Sequence, residues 1–531
     1  MQAPAGPADP ASVPFPAPPP AISFRQLCAT AAVAGGATMG IEMAASRLLA
    51  PSFGTSELVW ANLIGVILLS LALGYRAGGW LADRWPGSAG MYGALVAAGL
   101  LDLALPFGGR WAVSVLGAGI TATPVSVILL SLCAVLAVIA PPVFLLAIAT
   151  PFALRLGVQV QPPGRAGRAV GALEAWATAG SIAGTFLPAL VTIPFLGVNE
   201  TLAGLGGVLI LTGALGLGRV RLLGLLVLPL VVGLLTAGVV RPVPGLLYEA
   251  QSLYQFIQVD RQGTMTYLTV NEGAGIQSAW NSASPLTGLY YDAYMLLPGL
   301  RPGTRRRVLV IGAGGGTILR QYADVLSGHY DLHLTGVEID PGVAALGPRY
   351  FGLSPALAAD IRVDDGRTFL RSLPRGAPRY NIVIVDAYSQ ELYIPYELAT
   401  VQFYDLVRAH LVPGGIVALN VNALSPQTPL LLSLERTLRA AFPHVYAAKV
   451  GGAYNYLVAA STAPLDPAAL LRTGGVPPLL EPLAAELAAG WTPVTGAGGW
   501  LLTDNRAPLD YLTNLELLQG IRDTAQGRPV T

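Results

Sequence analysis

Four acids stand where apolar runs stop in the C-terminal half of this 531-residue chain. LTGVEID closes on Glu338, IRVDDG on Asp364 and Asp365, and YNIVIVD on Asp386. Upstream of them, RVLVIGAGGGTILR carries a β-forming run, Val308 to Ile311, into a turn with Gly312, Gly314 and Gly315, and then into a helix start at Thr317. Glycines let a ligand approach the backbone, and the free N–H groups at the helix N-terminus face it, so this turn suits a nucleotide. An acid ending the second strand can accept from both hydroxyls of a ribose. A carboxylate ending the third can accept from an exocyclic adenine amine. Asp386, ending the fourth, is left over as a proton acceptor at a reacting centre. Each acid alone reads equally well as a helix cap or turn residue. Glycines with acids at three successive strand ends describe an adenosine site with one additional carboxylate.

The elements that must position these residues follow from hydrophobic period. Strands at 307–312, 332–339, 361–364, 380–386 and 415–421 alternate with helical stretches, the pattern of a doubly wound, Rossmann-like parallel sheet. In such a sheet ligands lie beyond the C-terminal strand ends. YNYLVAAS (454–461) reads as a late strand, and TDNRAPLDYL (503–512) as a loop into a terminal element. Before the sheet, LYQFIQVD, MTYLTVNE and IQSAW read as a small antiparallel sheet, and 284–298 as a helix.

The N-terminal half differs in kind. Only 11% of the chain is charged, against about 25% in soluble domains, and 53% is hydrophobic. The deficit falls on residues 25–240. Apolar spans near 25–49, 57–82, 89–107, 120–155, 169–194, 199–217 and 221–240 give seven crossings, and Pro141-Pro142 can divide the fourth to make eight. Residues 1–24 form a Pro/Ala-rich tail without the features of a signal peptide. The expected domains are therefore the tail (1–24), a transmembrane domain (25–240), a β-sheet-and-helix segment (248–300) and a Rossmann-like catalytic domain (301–531). Three acids lie inside spans: Glu42, Asp102 and Glu174. Intramembrane acids are costly and frequently functional. The structural alternative pairs Glu42 with Arg47, and Asp102 lies towards a span end.

A net charge of +1 argues against a nucleic-acid partner. Two cysteines, Cys28 and Cys133, allow no zinc site or disulfide framework, and the four histidines show no ligand spacing, so no metal is expected.

GAGGG, VEID, DDGRTFL, IVDAYS and FYDLVRAHLVPGGIVALN resemble the spermidine synthase (aminopropyltransferase) family, within the class I S-adenosylmethionine-dependent methyltransferase-like fold. EMAASRLLAPSFGTSELVW and LALGYRAGGWLADR resemble the membrane-fused members from bacteria. The resemblance implies that Gln255 and Glu338 hold the ribose. Asp365, with Asp364, Ile339 and Gly366 as neighbours, reads adenine. Gln277 and Tyr290, with Tyr291 and Asp292 beside them, line the sulfonium and aminopropyl side, and Asp386 is the base. It also implies S-adenosylmethionine or its decarboxylated form as substrate. The family is commonly dimeric, which makes a homodimer the assembly to look for.

Two departures bear on chemistry. The family's glycine turn usually carries an Asp where this chain has Gly315, and its fourth-strand motif a second Asp where this chain has Ser389. Both changes remove negative charge from the donor and acceptor ends. One reading therefore has the amine or carboxylate of S-adenosylmethionine attack its own γ-carbon. That gives methylthioadenosine with azetidine-2-carboxylate or homoserine lactone, and Tyr290, Tyr388 and Asp386 shape the fold-back. The alternative is aminopropyl transfer to a polyamine. A third class is a transporter with a nucleotide-sensing domain. Arginines in alternate loops leave the orientation ambiguous. The need for a cytosolic metabolite places the catalytic domain in the cytoplasm, with the helices in a bacterial inner membrane.

Overall fold

The structure, a computed structural model, describes residues 22–525 except 54–56, 112–123, 237–239, 272, 274, 355, 356, 358, 375, 390–392, 453, 473 and 497. Most of the expected tail thus lies outside the described residues. The chain forms two compact units, one of residues 1–45, 65–108 and 136–236, the other of 46–64, 109–135 and 237–531.

The N-terminal half is helical: α1 (Phe24–Phe53), α2 (Glu57–Arg84), α3 (Ala89–Trp111), α4 (Pro124–Ala134), α5 (Ala140–Val160), α6 (Ala166–Leu187), α7 (Ile193–Leu196), α8 (Val198–Gly216) and α9 (Val227–Thr236). Among the described residues, six helical runs are long and apolar enough to cross a membrane: 24–50, 59–84, 89–108, 129–160, 166–196 and 198–216. The expectation was seven or eight. The run 129–160 continues past Pro141-Pro142 through a π-helical segment, Val135–Ile139, instead of dividing. The last candidate, 221–240, begins as a 3₁₀ turn, Val220–Leu226, and leaves only ten α-helical residues in α9. Together they make one apolar helical run, Val220–Thr236, shorter than the six. Asp102 is fully enclosed despite its place late in α3. Arg47 does not pair with Glu42. It donates to the carbonyls of Ser252 (3.5 Å) and Leu253 within the second unit.

The second unit holds two sheets. The smaller is an antiparallel meander of β1 (Leu246–Gln251), β2 (Phe256–Gln262), β3 (Met265–Val270) and β4 (Ile276–Asn281). The larger contains β5 (Arg305–Ile311), β6 (Asp331–Glu338), β7 (Ala359–Val363), β8 (Tyr380–Val385), β9 (Leu411–Asn422), β10 (His444–Lys449), β11 (Asn455–Ser461) and β12 (Thr492–Pro493), in the order β12-β10-β11-β9-β8-β5-β6-β7. Strands β7, β6, β5, β8 and β9 run parallel, and β10, β11 and β12 add antiparallel pairings at one end. The expected fold class, apolar helices followed by an α/β domain with a small antiparallel sheet, is what the structure shows. Val308, Val310, Ile382, Ile384, Ile416 and Ala418 point to one side of the large sheet, and Leu309, Ile311, Val383, Val385, Val417 and Leu419 to the other. Two buried faces require nearly continuous apolar strands. β10 was not anticipated, because HVYAAK is short and interrupted by small residues.

The helix expected over 284–298 shrinks to Tyr291–Tyr294 and a 3₁₀ turn at Leu297–Leu300. Pro285 and Gly288 (φ +73°) break its first half, and the Asp292 carboxylate accepts the N–H groups of Thr287 (3.0 Å) and Gly288 (2.8 Å) there.

Arg367, following the glycine that starts helix Gly366–Ser372, is 9% exposed and forms a two-pronged ion pair with Asp504 (2.9 and 2.5 Å). Thr400 also donates to Asp504. These bonds hold the Asp504 carboxyl below its usual range. Its stabilising contribution is therefore present above the ordinary carboxylate range and lost as pH falls through the lowered value. Asp504→Ala leaves a nearly buried guanidinium without its anion. A loss of about 1–3 kcal/mol is expected at neutral pH, narrowing towards pH 3, and denaturant melts at both pH values measure it.

Candidate active site

The large sheet delivers its acids to one place by register. Asp386 N–H bonds the carbonyl of Ile311 (2.8 Å), Gly312 N–H that of Val337 (2.9 Å), and Asp364 N–H that of Glu338 (3.1 Å). β5, β6, β7 and β8 thus end level, and a cavity of about 390 Å³ opens beyond them. Gly312, Gly314, Glu338, Ile339, Asp364, Asp365, Gly366, Asp386, Tyr388 and Ser389 line it from the large sheet, and Gln255 and Gln277 from the small one. The structure thereby brings together most of the residues the sequence singled out.

Gly312 has φ +80°, and a Cβ there would lie 2.4 Å from the Asp386 carbonyl oxygen. The turn can pass under β8 only as glycine. Glu338 secures the turn from the other side. Its two oxygens accept from Gly314 N–H (2.8 Å) and Asp340 N–H (3.1 Å). Burial raises its pKa, and these backbone bonds oppose the rise. Asp365 caps the following helix through Thr368 N–H (2.7 Å), so the cap reading and the pocket reading both hold for it. Ser278 accepts from Gly315 N–H (2.7 Å), and Thr317 both donates to Ala279 carbonyl and accepts its N–H (2.9 Å each). These bonds fasten β4, and with it Gln277, to the glycine turn. Gln255 donates to Asp340 (3.3 Å), which also accepts from Ser252 (2.6 Å). Arg47 grips the carbonyls of the same turn.

Asp386 sits among tyrosines. Tyr290 hydroxyl reaches its two oxygens at 3.2 and 3.1 Å, and Tyr294 hydroxyl approaches at 3.5 Å. Burial pushes the Asp386 carboxyl from 3.8 up to about 7, and the hydrogen bonds from Tyr290 and Tyr294 restrain the rise. A carboxyl near 7 is matched to exchanging a proton at neutral pH. Burial, and then the Asp386 charge, raise Tyr290 and Tyr294 far above the ordinary phenol range, so both stay protonated donors. Tyr290→Phe removes the nearest of these donors. The acid limb of the rate profile should then move to higher pH, with a fall in turnover of about 10-fold, and stopped assays from pH 5.5 to 9 measure both.

Several expected roles change. Tyr388 lines the cavity, but its hydroxyl donates to the Asn420 carbonyl (2.8 Å), which makes it a fixed wall and not a proton carrier. Tyr291 is buried behind Tyr290, its ring 4.1 Å away and its hydroxyl on the Ile276 carbonyl. Asp292 accepts from Thr287, Gly288 and Gln321 (2.5 Å) and does not line the cavity. Gly315 is not on the cavity wall either: a Cβ there would meet the Phe351 ring at 2.7 Å. Ser389 is on the wall with its hydroxyl turned towards the Tyr393 carbonyl (3.2 Å). Sequence reasoning missed Tyr294, one helical turn after Tyr290, although the i, i+4 spacing places both on one face. It also missed Tyr254, Pro395, Glu397 and Leu398 on the cavity wall, which come from a loop and a single 3₁₀ turn, Tyr396–Leu398, too short to show a period.

Residues 289–457, from Leu289 beside Tyr290 to the middle of β11, match the Spermine/spermidine synthase domain family. This part of the chain is similar to a spermidine synthase domain. Homologues share names with that reading. A probable polyamine aminopropyl transferase of Bifidobacterium longum is 33% identical over 304 residues, 53% of this chain and 65% of that protein. A polyamine aminopropyltransferase of Vibrio vulnificus is 27% identical over 280 residues, 50% of this chain and 91% of that protein. The chain thus spans slightly less than two thirds of the Bifidobacterium relative. A crystal structure of a probable spermidine synthase from Corynebacterium glutamicum aligns with a TM-score of 0.38 and 20% identity, over 51% of this chain and 99% of that one. Within the matched residues, Asp386, Glu338, Asp365 and the glycine turn line one cavity.

Proposed function

We propose that the chain is a polyamine aminopropyltransferase that uses decarboxylated S-adenosylmethionine as donor. The observation that carries this is Asp386: a buried carboxyl raised to about 7, held by phenolic donors, on the wall of the cavity that Glu338, Asp365 and the glycine turn also line. The acceptor amine nitrogen attacks the aminopropyl carbon bonded to sulfur. The carbon–sulfur bond breaks with its electrons passing to sulfur, which leaves as neutral methylthioadenosine. Asp386 takes the proton that the attacking nitrogen sheds. Glu338 and Gln255 face the ribose and Asp365 the adenine.

Attack by S-adenosylmethionine on itself, the reading the missing acids suggested, has no support from the two relatives described above, whose names concern aminopropyl transfer to polyamines. Its physical premise also weakens. A side chain at 315 would be directed at the ring of Phe351, so the missing Asp leaves no space for a carboxylate. The test is product analysis by mass. Methylthioadenosine and spermidine should form only when decarboxylated S-adenosylmethionine and putrescine are both present. Methylthioadenosine from S-adenosylmethionine alone would overturn the proposal in favour of internal attack, and S-adenosylhomocysteine would indicate methyl transfer.

A further inference from the structure

The first unit contains a cavity of its own, about 200 Å³, lined by α1, α2, α5 and α6. Tight helix pairs surround it. A Cβ on Gly180 of α6 would lie 1.9 Å from the Ala32 carbonyl oxygen of α1, and one on Gly78 of α2 would lie 2.6 Å from the Ile148 carbonyl oxygen of α5. The backbones of each pair are in contact, as small residues permit in lipid. The space left between the pairs is not apolar. Its wall contains Glu174, Tyr75 and the hydroxyl residues Thr30, Thr38, Thr150, Thr178 and Ser181.

We propose that this cavity binds a small organic ammonium ion, with Glu174 as its counter-charge. Glu174 is the one charged residue among those lining it, and no Lys, Arg or His among the described residues forms an ion pair with it. Glu174 lies on an exposed part of α6, within the apolar run 166–196, and a carboxylate at membrane depth is costly unless a cation accompanies it. The rest of the wall offers further hydroxyl oxygens as acceptors. Thr38 spends its hydroxyl proton on the carbonyl of Ala34 (2.9 Å), which leaves oxygen lone pairs for the cavity, while Thr30 donates to the Gln26 carbonyl (2.8 Å) and also bonds Tyr92. Pro151 interrupts α5 one turn after Ala147, a lining residue, and has no N–H to give to that residue's carbonyl. A primary ammonium brings three N–H donors and one positive charge to such a wall. Leu71, Leu146 and Met39 offer the apolar contact that its methylenes need. The volume equals roughly six or seven waters, enough for a short alkylamine. A bare metal cation would want oxygen on all sides and would leave that apolar wall unused. The site is separate from the Asp386 cavity and does not depend on the catalytic reading.

The test uses the full chain in nanodiscs of phosphatidylglycerol, which has no ammonium group, and radiolabelled n-butylamine as probe. Wild type should bind one butylamine that Glu174→Gln loses by at least 10-fold in affinity. Asp386→Asn should retain it, and Glu174→Gln should keep methylthioadenosine release within 2-fold of wild type. Thr38→Val, which removes an acceptor and no charge, should weaken binding 3- to 10-fold, and it decides the matter if Glu174→Gln does not purify as a single species. Competition by added phosphatidylethanolamine would identify a lipid headgroup as the source of the ammonium, and its absence a free amine. Identical isotherms for wild type, Glu174→Gln and Thr38→Val, or displacement by sodium chloride as effective as by propylammonium chloride, would overturn the proposal.

Discussion

Asp386→Asn should lower turnover by about 10²- to 10⁴-fold, the range a positioned general base contributes, while the protein still folds and binds its nucleoside ligand. The asparagine amide fills the same space between Tyr290 and Tyr294, and it has no charge to desolvate. The substitution therefore separates chemistry from structure. Wild type should show an acid limb near pH 7, because Asp386 accepts a proton only once it has lost its own. Stability should run the other way. Burial raises Asp386, Glu435 and Glu516 each to about 7, so between the ordinary carboxylate range and 7 the folded chain holds more protons than the unfolded one. Folding free energy then falls as pH rises through that window. Asp386→Asn should flatten part of that slope and remove the acid limb from whatever activity is left. Initial rates and thermal melts across pH 5–9, for wild type and variant, check both. A variant with full activity and an unmoved acid limb would remove Asp386 from the mechanism.

The parts of the site legible in the sequence were those set by strand ends. Glu338, Asp365 and Asp386 each follow an apolar run, and a parallel sheet turns that one-dimensional fact into shared space. The tyrosine cage was only half legible. Tyr290 and Tyr294 are brought to Asp386 by the short helix Tyr291–Tyr294, whose extent depends on Gly288, Pro285 and the Asp292 carboxylate. Asp292 looked like a substrate ligand because it is an acid beside tyrosines. Its bonds to Thr287 and Gly288 instead terminate the segment, a local competition that composition does not reveal. In the helical half, hydropathy located the long apolar helices but not how the last apolar run is wound. Val220–Leu226 winds as 3₁₀ before α9 begins, a change of helix type that an apolar count does not register.

Gly315 is the position where sequence and structure pull furthest apart, and Gly315→Asp should be among the most damaging single changes in the domain. The sequence reading treats the glycine as a missing charge. The structure places Phe351 within 2.7 Å of where a Cβ would stand, and that ring is 1% exposed in a cluster with Ile257, Val259, Leu268, Val343 and Leu346. Adding Cβ alone is overpacking worth about 1–3 kcal/mol. A carboxylate directed into that cluster adds the cost of burying an unpaired charge, so Gly315→Asp should exceed Gly315→Ala in destabilisation. Both should disturb the Gly315 N–H bond to Ser278, and through it the wall that carries Gln277. Phe351→Leu alone should cost about 1–2 kcal/mol, yet in combination with Gly315→Ala the loss should be smaller than the sum, since the ring no longer fills the space. Chemical denaturation of the four variants gives the coupling directly. Additive losses would mean that Phe351 is not what forbids a side chain at 315, and the missing acid would again stand as a sign of a different substrate.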